Sequence, residues 1–285
     1  MSRQERLDSV GSTNDVVRTW LADGTPEVCL AVADEQTAGR GRAGRAWLAP
    51  RGKALLLSLG FRPAWLEPER VWRLAAITSL AMADAAEEVA GLADGAIRLK
   101  WPNDLVVVDE DGSGLAAGDF RKLAGLLGET DGLGTGDPRA VIGLGINADW
   151  PIAEFPPDLA SAMTSLREAS HGRPIDLALL LDAFLGRIEA RVEALRGGRF
   201  DVADWQSRQL TTGRIVRLEG PGRTGTARAI GVDVATGALI VEDQAAPGGE
   251  RRVIVGEITH VRLASTAGSP AAAAGSPTAA AGSAV

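Results

Sequence analysis

The sequence predicts an α+β fold, a mixed β-sheet covered by helices, followed by a small antiparallel β-barrel. Three features carry this expectation. Apolar strand-like runs are interspersed with two long amphipathic stretches as far as about Leu210, the pattern of a sheet layered with helices. Beyond Leu210 the chain breaks into short alternating segments between Gly- and Pro-rich turns, as small barrels do. A length of 285 residues, 45% hydrophobic and 24% charged, allows one large core and one small one.

Element by element, Ser12-Thr13-Asn14-Asp15 opens a short helix that runs to about Ala22 and stops at Gly24. Val28–Ala33 and Ala54–Phe61 are strands; the second is apolar almost without a break, as in a strand buried on both faces. Pro68 begins a long amphipathic helix reaching about Ala90. Ile97–Lys100, Leu105–Val108, Leu123–Glu129 and Val141–Ile146 are short strands. Ile175–Leu195 is a second long helix, ended by Gly197-Gly198. Arg214–Leu218, Thr226–Val234, Leu239–Val241 and Arg252–Val261 make the barrel. The expected units are therefore 1–210, 211–264 and a disordered tail, 265–285, whose Ala/Gly/Ser/Pro composition has too little apolar surface to order it.

A net charge of −7 and a pI near 5.1 argue against a general nucleic-acid binder. The single cysteine, Cys29, has no internal disulfide partner and reads as a buried core thiol. No apolar stretch approaches the roughly 20 residues of a membrane span, and the N-terminus lacks a signal-peptide core. A cytoplasmic protein without membrane contact is expected.

Of the 30 basic residues only Lys53, Lys100 and Lys122 are lysines, and each falls in or beside a segment of chemical character. The first such segment is Gly39-Arg40-Gly41-Arg42-Ala43-Gly44-Arg45-Ala46-Trp47, continuing to Arg51-Gly52-Lys53, with five basic residues and no acid in fifteen positions. Its glycines let the backbone approach a ligand, and its arginines fork onto phosphate or carboxylate oxygens. A small polyanion such as ATP suits it. Gly39–Gly44 matches the spacing of a dinucleotide fingerprint but leads into a strand instead of a helix. Gly52-Lys53 is followed by Ala54, so no Walker loop is present. An arginine–glycine nucleic-acid patch is the lesser reading. The other segments are Lys100-Trp101-Pro102-Asn103-Asp104, which by itself is also an ordinary turn, Arg121-Lys122-Leu123-Ala124-Gly125, and Gly143-Leu144-Gly145-Ile146-Asn147. Glycines inside a strand mark close approach of a ligand or another backbone.

Together with Ser12-Thr13-Asn14 and Glu35-Gln36, these segments resemble the biotin–protein ligase family, in the same order and over nearly the whole chain to Arg262. The resemblance implies a catalytic domain similar to class II aminoacyl-tRNA synthetases and a following SH3-like barrel. It implies an enzyme that joins biotin to ATP with Mg²⁺, giving biotinyl-5′-adenylate and pyrophosphate. Biotin then passes to a lysine of a biotin carboxyl carrier protein or domain. By the same resemblance Ser12, Thr13 and Asn14 lie at the ureido end of biotin, and Gln36 contacts biotin. Gly39, Arg40, Gly41 and Arg42 belong to the loop that closes over biotin and its adenylate, and Arg45 meets phosphate. Lys122 bridges the biotin carboxylate and the α-phosphate. Asp104 either orients the carrier lysine or helps to hold Mg²⁺. Lys100, Asn103, Gly125 and Asn147 are further members, Asn147 on the nucleotide side; Trp47 packs against the ligand or in the core. His171 and His260 lie outside the motifs, so neither a histidine-based nucleophile nor a histidine metal site is expected.

Asp109–Phe120 is longer than the turn expected before the Lys122 strand. No segment before the first motif is large enough for a helix-turn-helix, so a ligase without DNA-binding or repressor function is expected. The chain has no Met-Lys-Met site of its own, so the acceptor is another protein. The resemblance also allows a homodimer. Two alternatives stay in view. One is a lipoate or octanoate ligase, whose arginine-pair and triple-glycine motifs are missing. The other is a non-catalytic biotin- or nucleotide-binding module.

Overall fold

A computed structural model describes residues 1–108, 120–220, 223–254 and 260–263. The larger sheet consists of β1 (Arg3–Leu7), β2 (Cys29–Ala33), β3 (Ala54–Phe61), β4 (Ile97–Lys100), β5 (Asp104–Val108), β6 (Phe120–Asp131) and β7 (Arg139–Asn147). Its strand order is β1-β2-β3-β7-β6-β5-β4. Strands β1 and β2 run parallel while the other neighbours are antiparallel, so the sheet is mixed, as predicted. Strand β1 was not anticipated. Its sequence, RQERL, lies on the sheet edge, where charged side chains deter further pairing and erase the apolar alternation.

The helices are α1 (Thr13–Ala22), α2 (Trp72–Ala90), α3 (Leu166–Ala169), α4 (Leu177–Arg196) and α5 (Val202–Ser207). Successive strand residues point to opposite faces, and the core divides accordingly. Leu30, Leu57, Leu59, Ile142 and Leu144 meet Ile77 and Leu80 of α2 and Phe184 and Ile188 of α4. On the other face Cys29, Ala31 and Val141 meet Val17 and Leu21 of α1. The short helices α3 and α5 were missed, since four to six residues give too little periodicity to detect. Ser12 occupies the N-cap position of α1 in extended conformation, but its side chain makes no capping hydrogen bond.

The second sheet is antiparallel: β8 (Ile215–Gly220), β9 (Arg223–Val232), β10 (Leu239–Glu242), β11 (Glu250–Val253) and β12 (His260–Leu263), in the order β11-β10-β9-β8-β12. The single strand expected at 252–261 is two strands. β11 pairs with β10 and β12 with β8, at opposite edges of the sheet. This sheet is tied to the β4–β5 turn: Trp101 Nε1 donates to the Gly237 carbonyl at 2.9 Å, and Trp101 N to Thr211 Oγ1 at 3.0 Å. The expectations for 109–119 and for the tail, 265–285, lie outside the described residues. Among the described residues no helix is long and apolar enough to cross a membrane.

Candidate active site

The site lies on the α1 face of the large sheet. Register sets Gly125 of β6 directly opposite Gly145 of β7, and Gly143 opposite Ser58 of β3. These glycines lie on consecutive, paired strands, and together they make one hollow floor. Above it is a cavity of about 350 Å³, walled by the start of α1 and covered by the loop between β2 and β3. That volume falls in the range of roughly 300–1,000 Å³ usual for small-molecule sites. The glycines are required by the protein's own side chains. A Cβ at Gly143 would overlap Asn14 Oδ1, and one at Gly145 would sit 2.6 Å from the Trp47 ring.

One end of the cavity is polar, lined by hydroxyl and amide groups beside Arg40. Thr13 donates to Gln36 Oε1 from its backbone N at 2.8 Å and from Oγ1 at 3.0 Å. Ser58 Oγ stands 2.7 Å from Thr13 Oγ1 and donates to Asn14 Oδ1 at 2.6 Å. Asn14 Nδ2 donates to Glu129 Oε2 at 2.7 Å. Ser58 and Glu129 escaped the sequence reading. Ser58 is fully buried and is the single hydroxyl in the apolar run ALLLSLGF, a signal that would have found it. Glu129 carries no such signal.

The loop is pinned at this same end. Arg40 donates two hydrogen bonds of 2.7 Å to the Asp15 carboxylate, and Arg18 bridges Asp15 at 2.5 Å and Glu129 at 2.7 Å. The hydrogen bond from Arg40, then that from Arg18, outweighs partial burial and holds the Asp15 carboxyl at about 2. Arg40 is therefore committed to α1, while Arg42 and Arg45 continue along the cavity.

The far end is cationic. Lys122 Nζ lies 2.6 Å from Asp104 Oδ1, and Lys100 Nζ lies 3.6 Å from Asp104 Oδ2. A β-bulge delivers Lys122 to this face. β5 and β6 pair Leu105 with Ala124 but Val106 with Lys122, leaving Leu123 as the extra residue. Without the bulge, alternation would turn Lys122 away from Gly125 and toward α2. Burial pushes the Lys100 ammonium down, against the pull of Asp104. Burial likewise lowers Arg42, again opposed by Asp104.

Ser12, Thr13, Asn14, Gln36, Arg40, Gly41, Arg42, Arg45, Trp47, Asn103, Lys122, Gly125 and Asn147 all line the cavity. Gly39, Lys100 and Asp104 do not. Gly39 lies under Trp47, where a Cβ would be 2.6 Å from the Trp47 carbonyl oxygen. Lys100 and Asp104 line an adjoining hollow of about 270 Å³, which shares Arg42 and Asn103 with the main cavity. Asn103 and Asn147 also brace the backbone, donating to the Leu126 carbonyl at 2.5 Å and the Thr164 carbonyl at 2.9 Å. No group of three or more His, Cys, Asp or Glu side chains suited to a metal gathers among the described residues. Both oxygens of Asp104 face ammonium groups, an environment that fits an amine better than a resident metal ion.

Fold and site define a protein ligase: residues 7–147 match the model of the biotin/lipoate A/B protein ligase family. The chain is 33% identical over 260 residues to the biotin–[acetyl-CoA-carboxylase] ligase of Mycobacterium tuberculosis, covering 88% of this chain and 86% of that protein. It is 30% identical over 237 residues to the bifunctional ligase/repressor BirA of Bacillus subtilis, covering 82% of this chain and 68% of that one. The fold is similar to that of the biotin protein ligase from Aquifex aeolicus in complex with biotin and ATP, with a TM-score of 0.73 and 25% identity, over 93% of this chain and 100% of that one. The chain belongs to the biotin–protein ligase family.

Proposed function

We propose that this chain activates biotin with ATP and transfers it to a lysine of a biotin carboxyl carrier protein. ATP enters as its magnesium complex, and the ion is part of the substrate. A biotin carboxylate oxygen attacks the α-phosphorus, the bond to the bridging oxygen breaks, and pyrophosphate leaves. The neutral carrier amine then attacks the acyl carbon of the adenylate, loses its proton, and AMP departs with the bonding electrons. The observation that carries this reading is a cavity with a hydrogen-bonding end of hydroxyls and amides and a cationic end, in a chain of this family.

Two anions must be brought together, so charge neutralisation and alignment supply the catalysis. In this reading Lys122 bridges the carboxylate and the α-phosphate, with Arg42 and Arg45 on the phosphate oxygens. Ser12, Thr13, Asn14 and Gln36 take the ureido end, Trp47 walls the cavity, and Arg40 with Gly39 and Gly41 holds the loop closed. Asn103, Gly125 and Asn147 serve the nucleotide side. Asp104, steadied by Lys100, orients the carrier amine. Residues 1–210 form a class II synthetase-like catalytic unit. Residues 211–264 form an SH3-like barrel that braces the Lys100–Asp104 turn through Trp101, a role supported by the Trp101–Gly237 hydrogen bond.

The test is exchange of labelled pyrophosphate into ATP by the purified chain, with biotin and with lipoate. Exchange with biotin alone supports the proposal. Exchange with lipoate alone moves the chain to the lipoate branch, and exchange with neither makes it a binding module.

A further inference from the structure

We infer that Glu129 is a specificity-determining positioning residue that acts through Asn14; the inference rests on the biotin reading above. A side-chain amide presents a donor on one side and an acceptor on the other, and a half-turn exchanges them. Something must choose. An ionised carboxylate only accepts, so Glu129 Oε2, 2.7 Å from the Asn14 amide nitrogen, fixes the NH₂ group toward itself. Arg18 holds the same Glu129 oxygen at 2.7 Å and keeps the carboxylate aimed.

With its nitrogen fixed, Asn14 turns its oxygen to the buried Ser58 hydroxyl at 2.6 Å and over Gly143, where no Cβ obstructs it. One lone pair of Oδ1 takes the Ser58 hydrogen, and the other is left for a ligand. Asn14 lines the cavity and Glu129 does not. The ureido ring of biotin carries N–H donors on either side of its carbonyl. An acceptor at Asn14 matches one of those N–H groups, whereas a flipped amide would set donor against donor. Glu129, the nearer of two acceptors on that nitrogen with the Leu127 carbonyl at 3.4 Å, thus sets which polarity the pocket shows without touching the ligand.

The experiment is calorimetric titration of biotin into the full-length chain and its E129A, E129Q, N14A and N14A/E129A variants, each checked for an intact thermal transition. We expect E129A to weaken biotin binding about tenfold and E129Q, whose carbonyl can still accept, about threefold. In the N14A background E129A should add less than about twofold, because its target is already gone. A purely structural role would weaken binding equally in both backgrounds, and that result overturns the inference. So does E129A binding biotin as tightly as the parent. A parent chain that does not bind biotin overturns the biotin reading and this inference together.

Discussion

Replacing Gly145 with alanine tests whether the strand glycines serve the loop above them. A Cβ there would lie 2.6 Å from Trp47 Cε2, 2.7 Å from Nε1 and 3.0 Å from Cζ2. Carbon contacts settle near 3.5–4.0 Å, so the indole must retreat by about 1 Å. The sheet will not yield, because Gly145 is paired on both sides, with Leu56 of β3 and Gly125 of β6. The loop can: Ala43 through Ala46 are exposed, and a single backbone bond from Trp47 N to the Gly39 carbonyl at 2.9 Å anchors the tryptophan. The ring therefore moves into the cavity, and the strain appears as lost binding. Overpacking of this kind costs about 1–3 kcal/mol, or roughly a fivefold to hundredfold weaker biotin complex. Calorimetric titration with biotin, beside a urea melt, would measure both quantities. Unchanged biotin affinity would refute the reasoning. So would a large loss of stability with normal binding, since the strain would then reside in the sheet.

Other changes separate chemistry from folding. Lys122→Ala should cut biotin-dependent pyrophosphate exchange by about a hundredfold or more while shifting the melt by only about 1 kcal/mol or less, because Lys122 is about a third exposed and Lys100 stays beside Asp104; equal exchange rates would remove its assigned role. Arg208→Ala should destabilise the chain by about 3–5 kcal/mol in urea, since it strands the buried Glu87 carboxylate that Arg208 holds at 2.9 and 3.1 Å; a loss below about 1 kcal/mol would contradict this. Asp15 titrates at about 2 in the folded chain against a usual 3.8, so its pairs stabilise above about pH 4 and fail as pH falls toward 2. Nearly half the side chain is exposed, which limits the effect to about 1 kcal/mol or less. Urea midpoints of D15N should lose that acid-side slope, and parallel parent and D15N profiles would show that the Arg40 pair is not holding.

The large sheet was legible where strands are buried on both faces. Ala54–Phe61 was placed to the residue because an apolar run has no competing helical period. The charged edge strand β1 was not, since nothing in RQERL distinguishes a strand from a surface loop. In the site, motif residues were legible one segment at a time, but the relations among them were not. That Gly125 faces Gly145, or that Lys122 reaches the cavity through a bulge, depends on register, which the sequence does not display. The glycines of β7 predict room for a ligand or another backbone; the atoms that need the room are the side chains of Asn14 and Trp47. Arg40 and Arg42 looked alike in the loop, and only the fold sends Arg40 to Asp15.

That two lysines share one carboxylate follows from what the proposed reaction demands of the cationic end. Lys122 is held 2.6 Å from Asp104 and lines the cavity. Lys122 is about a third exposed, so its pair with Asp104 is worth only about 1 kcal/mol, and in the proposed reaction phosphate oxygens draw the ammonium away at small expense. The risk then falls on Asp104, whose side chain is largely buried and would be left with an uncompensated charge. Lys100, 3.6 Å from the other oxygen and more deeply buried, supplies the balance. Arginine at 122 would fork onto Asp104 and resist release, whereas an ammonium on a flexible stem changes partners easily. In the proposed second step the same vacated oxygen receives the carrier amine. Lysine at both positions, in a chain that otherwise writes its positive charge almost entirely as arginine, is what an exchangeable cation beside a fixed one requires.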